Sequence, residues 1–142
     1  MKKYIIGMIL LTLLIAGCSS GDIQISEDDK SFKIPLNGIT DKVQKFDYDT
    51  SGTTVTYFVV KGTDGSIRTA FDACDVCGGS KGYMQQGDDI KCTNCGRVFS
   101  IDGLGTKNKG YGCWPSYLSH TLDNKNVIIK KAELTAGAHR FA

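Results

Sequence analysis

Proline and histidine are scarce in this 142-residue chain, with 2 of each. Net charge is also small at +2, and Lys2 and Lys3 account for it, since no Asp or Glu precedes Asp22. The remainder is neutral and carries no basic stripe with interleaved aromatics, which argues against a nucleic-acid partner. A long apolar run is missing too. The uncharged stretch Tyr4 to Ala16 falls short of the ~20 residues that a membrane-spanning helix needs. No Ser/His/Asp grouping, phosphate-cradling loop or pair of catalytic carboxylates stands out, so no catalytic activity of its own is expected. No repeat of solenoid length is present, and the tail Glu133 to Ala142 offers one helical turn at most. What is plentiful is glycine, with 17 residues, which suits a turn-rich, mainly β domain.

The first residues have their own logic. Met1-Lys2-Lys3 is a positive start, Tyr4 to Ala16 an apolar core, and Leu14-Ile15-Ala16-Gly17-Cys18 an aliphatic and small-residue approach to cysteine. This resembles a lipoprotein export signal, with residues 1–17 removed and Cys18 lipidated as the new N-terminus. An uncleaved anchor is the plainer alternative. Both readings place the remainder outside the cytoplasm, tethered to the cell membrane. Residues 18–31 read as a polar tether and 32–142 as one metal-binding domain.

Strands are expected at Phe32 to Leu36, Val43 to Tyr48, Thr53 to Val60, Ile67 to Phe71, Gly82 to Gln86, Ile90 to Cys92, Arg97 to Ile101 and Asn126 to Lys130. Gly62-Thr63-Asp64-Gly65 and Gly87-Asp88-Asp89 read as hairpin turns, and Gly103 to Gly112 as a loop. Cys74-Asp75-Val76-Cys77-Gly78 and Cys92-Thr93-Asn94-Cys95-Gly96 form a duplicated C-x2-C-G element with fourteen residues between the pairs. Such spacing suits four thiolates around one ion, each loop wrapping the metal from its own side. A glycine after each second cysteine tolerates positive φ, which lets backbone N–H groups turn toward sulfur. The expected fold is mainly β, a small antiparallel sheet and hairpin domain with rubredoxin- or zinc-ribbon-like four-cysteine knuckles. Disulfides are the alternative for thiols outside the cytoplasm.

Cys113, in Tyr111-Gly112-Cys113-Trp114-Pro115, is the odd thiol. It has three roles open to it: a buried neighbour of Trp114, an alternative ligand, or part of a second metal position. The glycine-rich loop before it lets it fold back on the knuckles, which favours a functional role. His120 and His139 stand alone in polar stretches and read as surface residues. Met84 reads as hairpin packing, and Asp72 and Asp75 as turn or capping residues.

The run Ile67 to Cys77, then Gly82-Tyr83, Asp89 to Cys95 and Gly112-Cys113 followed by a proline, resembles the membrane iron-sulfur-containing protein family with the FtrD-like domain. The lead-in Val59 to Gly65 and the end Ala136 to Phe141 are similar as well, so the resemblance covers Val43 to Phe141. It implies an iron or iron-sulfur centre on Cys74, Cys77, Cys92, Cys95 and Cys113, and a role in iron acquisition beside a membrane iron permease or a redox partner. Many members are large polytopic proteins, so this chain would be a free-standing lipoprotein form; Trp114 stands where the family has a small or polar residue. The leading expectation is a metal-binding protein of iron uptake or one-electron transfer. A structural zinc-ribbon interaction module and a thiol-based copper or metal chaperone are the alternatives.

Overall fold

The computed structural model describes residues 23–79, 81–106 and 112–142. The export signal and Cys18 lie outside these residues. Among the described residues ten strands and one short α-helix follow in order: β1 (Ser26–Glu27), β2 (Ser31–Pro35), β3 (Gln44–Thr50), β4 (Thr53–Lys61), β5 (Ile67–Phe71), β6 (Tyr83–Gln86), β7 (Asp89–Cys92), β8 (Val98–Ser100), β9 (Thr121–Leu122), β10 (Asn126–Lys130) and α1 (Lys131–Gly137). They form three antiparallel sheets, ordered β1-β2-β10-β9, β3-β4-β5 and β6-β7-β8. The fold is mainly β, as expected.

The run Thr53 to Lys61 becomes the central strand of its sheet. Its two faces serve two cores, because successive side chains in a strand point to opposite sides. Val55, Tyr57 and Val59 pack with Ile34, Ile129 and Leu134 in the first core. Phe58 and Val60 pack with Tyr83, Ile90, Phe99 and Leu104 in the second. Tyr57 to Val60 are all at most 1% exposed, each side chain stabilising the fold by ~1.5–3 kcal/mol as an upper estimate. The sheet β3-β4-β5 thus lies between the β1-β2-β10-β9 sheet and the small β6-β7-β8 sheet, which carries Cys92.

β3 alternates strictly. Phe46 and Tyr48 pack against the first core, while Lys45, on the other face, reaches into the second. Its ammonium meets Asp72 Oδ2 at 2.6 Å and the Tyr83 carbonyl at 2.7 Å. Asp72 is nearly buried and also accepts the Tyr83 backbone N–H at 2.9 Å. This clasp ties the middle sheet to the start of β6.

Three local readings differ from the sequence expectation. The tail is helical for two turns rather than one: α1 runs Lys131–Gly137, with a 3-10 turn over Ala138–Arg140. Leu134 and Gly137, three apart, are its buried face, and Gly137 lies so close to the Phe71 ring that an added Cβ would stand 2.2 Å from it. The short strands β1 and β9 were also not expected. β1 lies within the stretch read as tether and pairs with β2. Met84 does not pack in its hairpin but is 55% exposed on the outer face of β6.

Candidate metal centre

Both knuckles fold as their glycines suggest. Gly78 and Gly96 have φ of +69° and +73°, a region most side chains avoid. Each glycine N–H donates back to the carbonyl of the first cysteine, Gly78 to Cys74 at 3.1 Å and Gly96 to Cys92 at 2.9 Å. In the first knuckle the Cys77 N–H donates to Cys74 Sγ at 3.1 Å. In the second, the Arg97 backbone N–H bonds to the Cys95 sulfur. The knuckles are linked directly by Asn94, whose amide donates to Cys77 Sγ at 3.2 Å.

Cys113 is delivered by strand-like pairing with the segment that leads into the first knuckle. Ser116 donates its N–H to the Ala73 carbonyl at 2.7 Å, and Phe71 donates to the Ser116 carbonyl at 2.9 Å. Tyr117 bridges Ala70. Residues 113–117 therefore run beside 70–74 and end at the knuckles. The Tyr83 hydroxyl donates to the Cys113 carbonyl, and the Cys113 thiol meets that of Cys95. The Trp114 ring, half-buried, packs tilted at 46° against Phe99 of the second core, with centroids 4.6 Å apart.

All five described cysteines are free thiols. Their electrostatics show mutual neighbourhood. Burial pushes the Cys74 thiol up, but hydrogen bonds from the Cys77 and Val76 backbones, with the Tyr83 hydroxyl dipole beside them, outweigh it, so Cys74 ionises below the ordinary thiol range. The Arg97 N–H does the same for Cys95. Asn94 lowers Cys77, yet burial together with Cys74 and Cys92 drives it up to about 11. Cys113 is raised by its hydrogen bond with Cys95, then by burial and by the charges of Cys95 and Cys74. Two thiols thus ionise readily and hold up their neighbours, the repulsion that a cation among them relieves. As they stand, no three Cys, His, Asp or Glu side chains of the described residues converge to enclose an ion. The two observations concern different distances: the charges interact over the whole group, whereas ligation needs closer convergence. The donor set, soft thiolates with backbone N–H groups aimed at sulfur, suits zinc or an iron centre.

Asp75 accepts from Arg140 Nε at 2.9 Å and from Ser116 at 3.3 Å, and the Arg140 carbonyl accepts the Gly79 N–H at 2.7 Å. The C-terminal turn therefore braces the first knuckle. Asp72 and Asp75, read from sequence as turn or capping residues, make long-range contacts instead: Asp72 with Lys45 and the Tyr83 N–H, Asp75 with Arg140 and Ser116. His139 bonds its own helix at the Ala136 carbonyl, 2.9 Å away, and His120 bonds Thr69; neither joins the thiols. No role was assigned from sequence to Tyr83, Asn94, Lys45 or Arg140, although Asn94 lies inside a knuckle and Tyr83 and Arg140 lie in the segments that carry the family resemblance.

Fold and thiol cluster together define a small β protein with paired cysteine knuckles. The chain belongs to the family described as membrane iron-sulfur containing protein FtrD-like, which it matches over residues 39–141. Comparison with curated proteins and with solved structures gave no match. The family is membrane-associated and iron-sulfur-containing. Among the described residues no helix is long and apolar enough to cross a membrane.

Proposed function

We propose that this chain is an extracytoplasmic lipoprotein, anchored through Cys18, that holds an iron or iron-sulfur centre on Cys74, Cys77, Cys92 and Cys95, with Cys113 as a fifth thiol. Its role is to carry electrons beside iron uptake rather than to catalyse a reaction of its own. The observation that carries the reading is the clustering of five free thiols, from three separate chain segments and within electrostatic reach of one another, in a family that is iron-sulfur-containing. When bound, the centre supplies a one-electron couple. The chain's own residues do the rest. The Cys77 and Arg97 N–H groups and the Asn94 amide donate to sulfur and spread its charge. Tyr83 and the Ser116 pairing hold Cys113 in place. The donor of electrons, or their acceptor, is a membrane-side partner such as a component of an iron permease.

The test is a visible absorption spectrum with metal analysis of full-length protein purified without oxygen. A coloured, iron-containing protein that bleaches reversibly on reduction is expected; a colourless protein holding one zinc overturns the proposal. Cys113→Ser should alter the spectrum or metal content, and an unchanged sample removes Cys113 from the ligand set. Cys18→Ala should release the chain from membranes; retention there refutes the lipid anchor.

A further inference from the structure

The thiol cluster reaches solvent at one corner. Cys74 and Cys92 are buried and Cys77 and Cys113 half-buried, while Cys95, in the second knuckle, is exposed. Electron transfer weakens steeply with distance, so a redox partner has to approach where the centre is least covered, around Cys95.

Cations gather at that corner. The Arg97 backbone N–H sits on the Cys95 sulfur, and Arg97 is exposed. Lys91 leans toward the same knuckle, since a Cβ added at Gly96 would stand 3.8 Å from its Cε. Lys81 joins them from the loop before β6, where its carbonyl accepts the Thr93 hydroxyl. Among the described residues none of these cations forms an ion pair. The second knuckle, Cys92 to Gly96, has no carboxylate of its own, and Asp75 of the first is paired with Arg140 at 2.9 Å. Asp88 and Asp89 stand at the far end of β7, by the hairpin turn.

An uncovered sheet face adjoins the corner. Met84 opposes Lys91 and Lys91 opposes Val98, so these residues form one row across β6-β7-β8. Tyr83, Ile90 and Phe99 alternate with them and fill the second core, which turns the row outward. Met84 is 55% exposed and Val98 49%. The Lys91 stem lies between them while its end leans to the knuckle. Apolar contacts beside unpaired charge are the anatomy of a protein docking surface, and the cations select and steer an acidic partner. A lipid headgroup offers the same negative charge but takes no electron at Cys95. We propose that this face, with Lys81, Lys91 and Arg97 around Cys95 and Met84 and Val98 beside them, docks an acidic one-electron carrier protein. The inference rests on the reading of the thiols as an iron centre. One electron passes between centre and carrier, one being oxidised as the other is reduced, with no proton or covalent bond exchanged.

The test has two arms, both on the full chain. In the first, a flavodoxin serves as the acidic carrier and is coupled to the chain by a carbodiimide, which joins lysine amines to carboxylates in contact. Peptide mass spectrometry should place the links at Lys81 and Lys91, and Met84→Gln with Val98→Thr should cut the yield severalfold. Links spread over all exposed lysines, or centred on Lys130 of the distant β10, overturn the proposal, as does an unchanged yield in that variant. In the second arm, the reduced protein is oxidised by hexacyanoferrate(III) or by hexaammineruthenium(III) in stopped flow at low salt. Lys91→Glu with Arg97→Glu should slow the anionic oxidant about tenfold and speed the cationic one. Lys130→Glu should change neither rate. If the double variant moves both rates in the same direction, the cations only shift the potential of the centre and the proposal fails. A protein without iron fails the absorption and metal analysis first, whereas the cross-linking arm reads the docking face whatever metal is bound, so the two failures are distinguishable.

Discussion

Replacing Lys45 with methionine tests the clasp that joins the middle sheet to the cysteine-bearing sheet. The Asp72 carboxylate would keep the Tyr83 N–H but lose its 2.6 Å ammonium partner, in a side chain only 9% exposed. Stranding a fully buried charge costs about 3–5 kcal/mol. The Lys45 side chain is 41% exposed, so water reaches the vacated position and the cost drops to the worth of one charge-assisted hydrogen bond, about 2 kcal/mol. For a domain of this size that corresponds to a fall in Tm of about 8 °C. Lys42→Met is the control, because the Lys42–Asp41 pair is 73% exposed on both sides and should cost well under ~1 kcal/mol. Thermal denaturation of both variants, with Asp72→Asn and the double variant, closes a mutant cycle. A coupling of about 1–2 kcal/mol is expected, since the two side chains are in contact. If Lys45→Met costs no more than Lys42→Met, or if the cycle is additive, the clasp does not hold the sheets together.

Gly78→Ala and Gly96→Ala should each cost ~1–2 kcal/mol for a side chain at positive φ. Gly78→Ala should cost more, because its Cβ meets the Arg140 carbonyl at 3.1 Å while that of Gly96 finds only Lys91 Cε at 3.8 Å; equal melting temperatures contradict this. His120 binds its proton less readily folded than unfolded, so the unfolded chain takes up more protons below pH 6.5 and stability falls there. His120→Gln should flatten the Tm-versus-pH curve from 6.5 downward, and a curve parallel to the parent's would refute the assignment. Metal loading should raise amide-exchange protection first across Phe71 to Val98, and equal protection with and without metal would count against a centre held by the knuckles.

The hairpins were legible because each is local. Ile67–Phe71 and Asn126–Lys130 fall where their β-branched residues place them, and the Gly62 to Gly65 and Gly87 to Asp89 turns set the neighbouring strands. The pairing of β10 with β2 was not legible, since strands more than ninety residues apart share no turn that fixes their register. α1 was undercounted because it is short, buries only Leu134 and Gly137, and has no side-chain cap to mark its start.

By itself, then, the sequence determined the two glycine-closed knuckles, because C-x2-C-G is a local geometry that needs only its own backbone. It also marked Thr53 to Val60 as a strand, through its β-branched and aromatic residues, while its central place in a sheet came from the tertiary structure. Tertiary structure alone decided that Cys113 belongs with Cys95, because its position depends on the pairing of 113–117 with 70–74. It alone decided that Lys45, Tyr83 and Arg140 support the thiols, and that Thr69 holds His120. Those contacts join residues whose local sequence holds no trace of one another, and only the closing of the three sheets brings them within bonding distance.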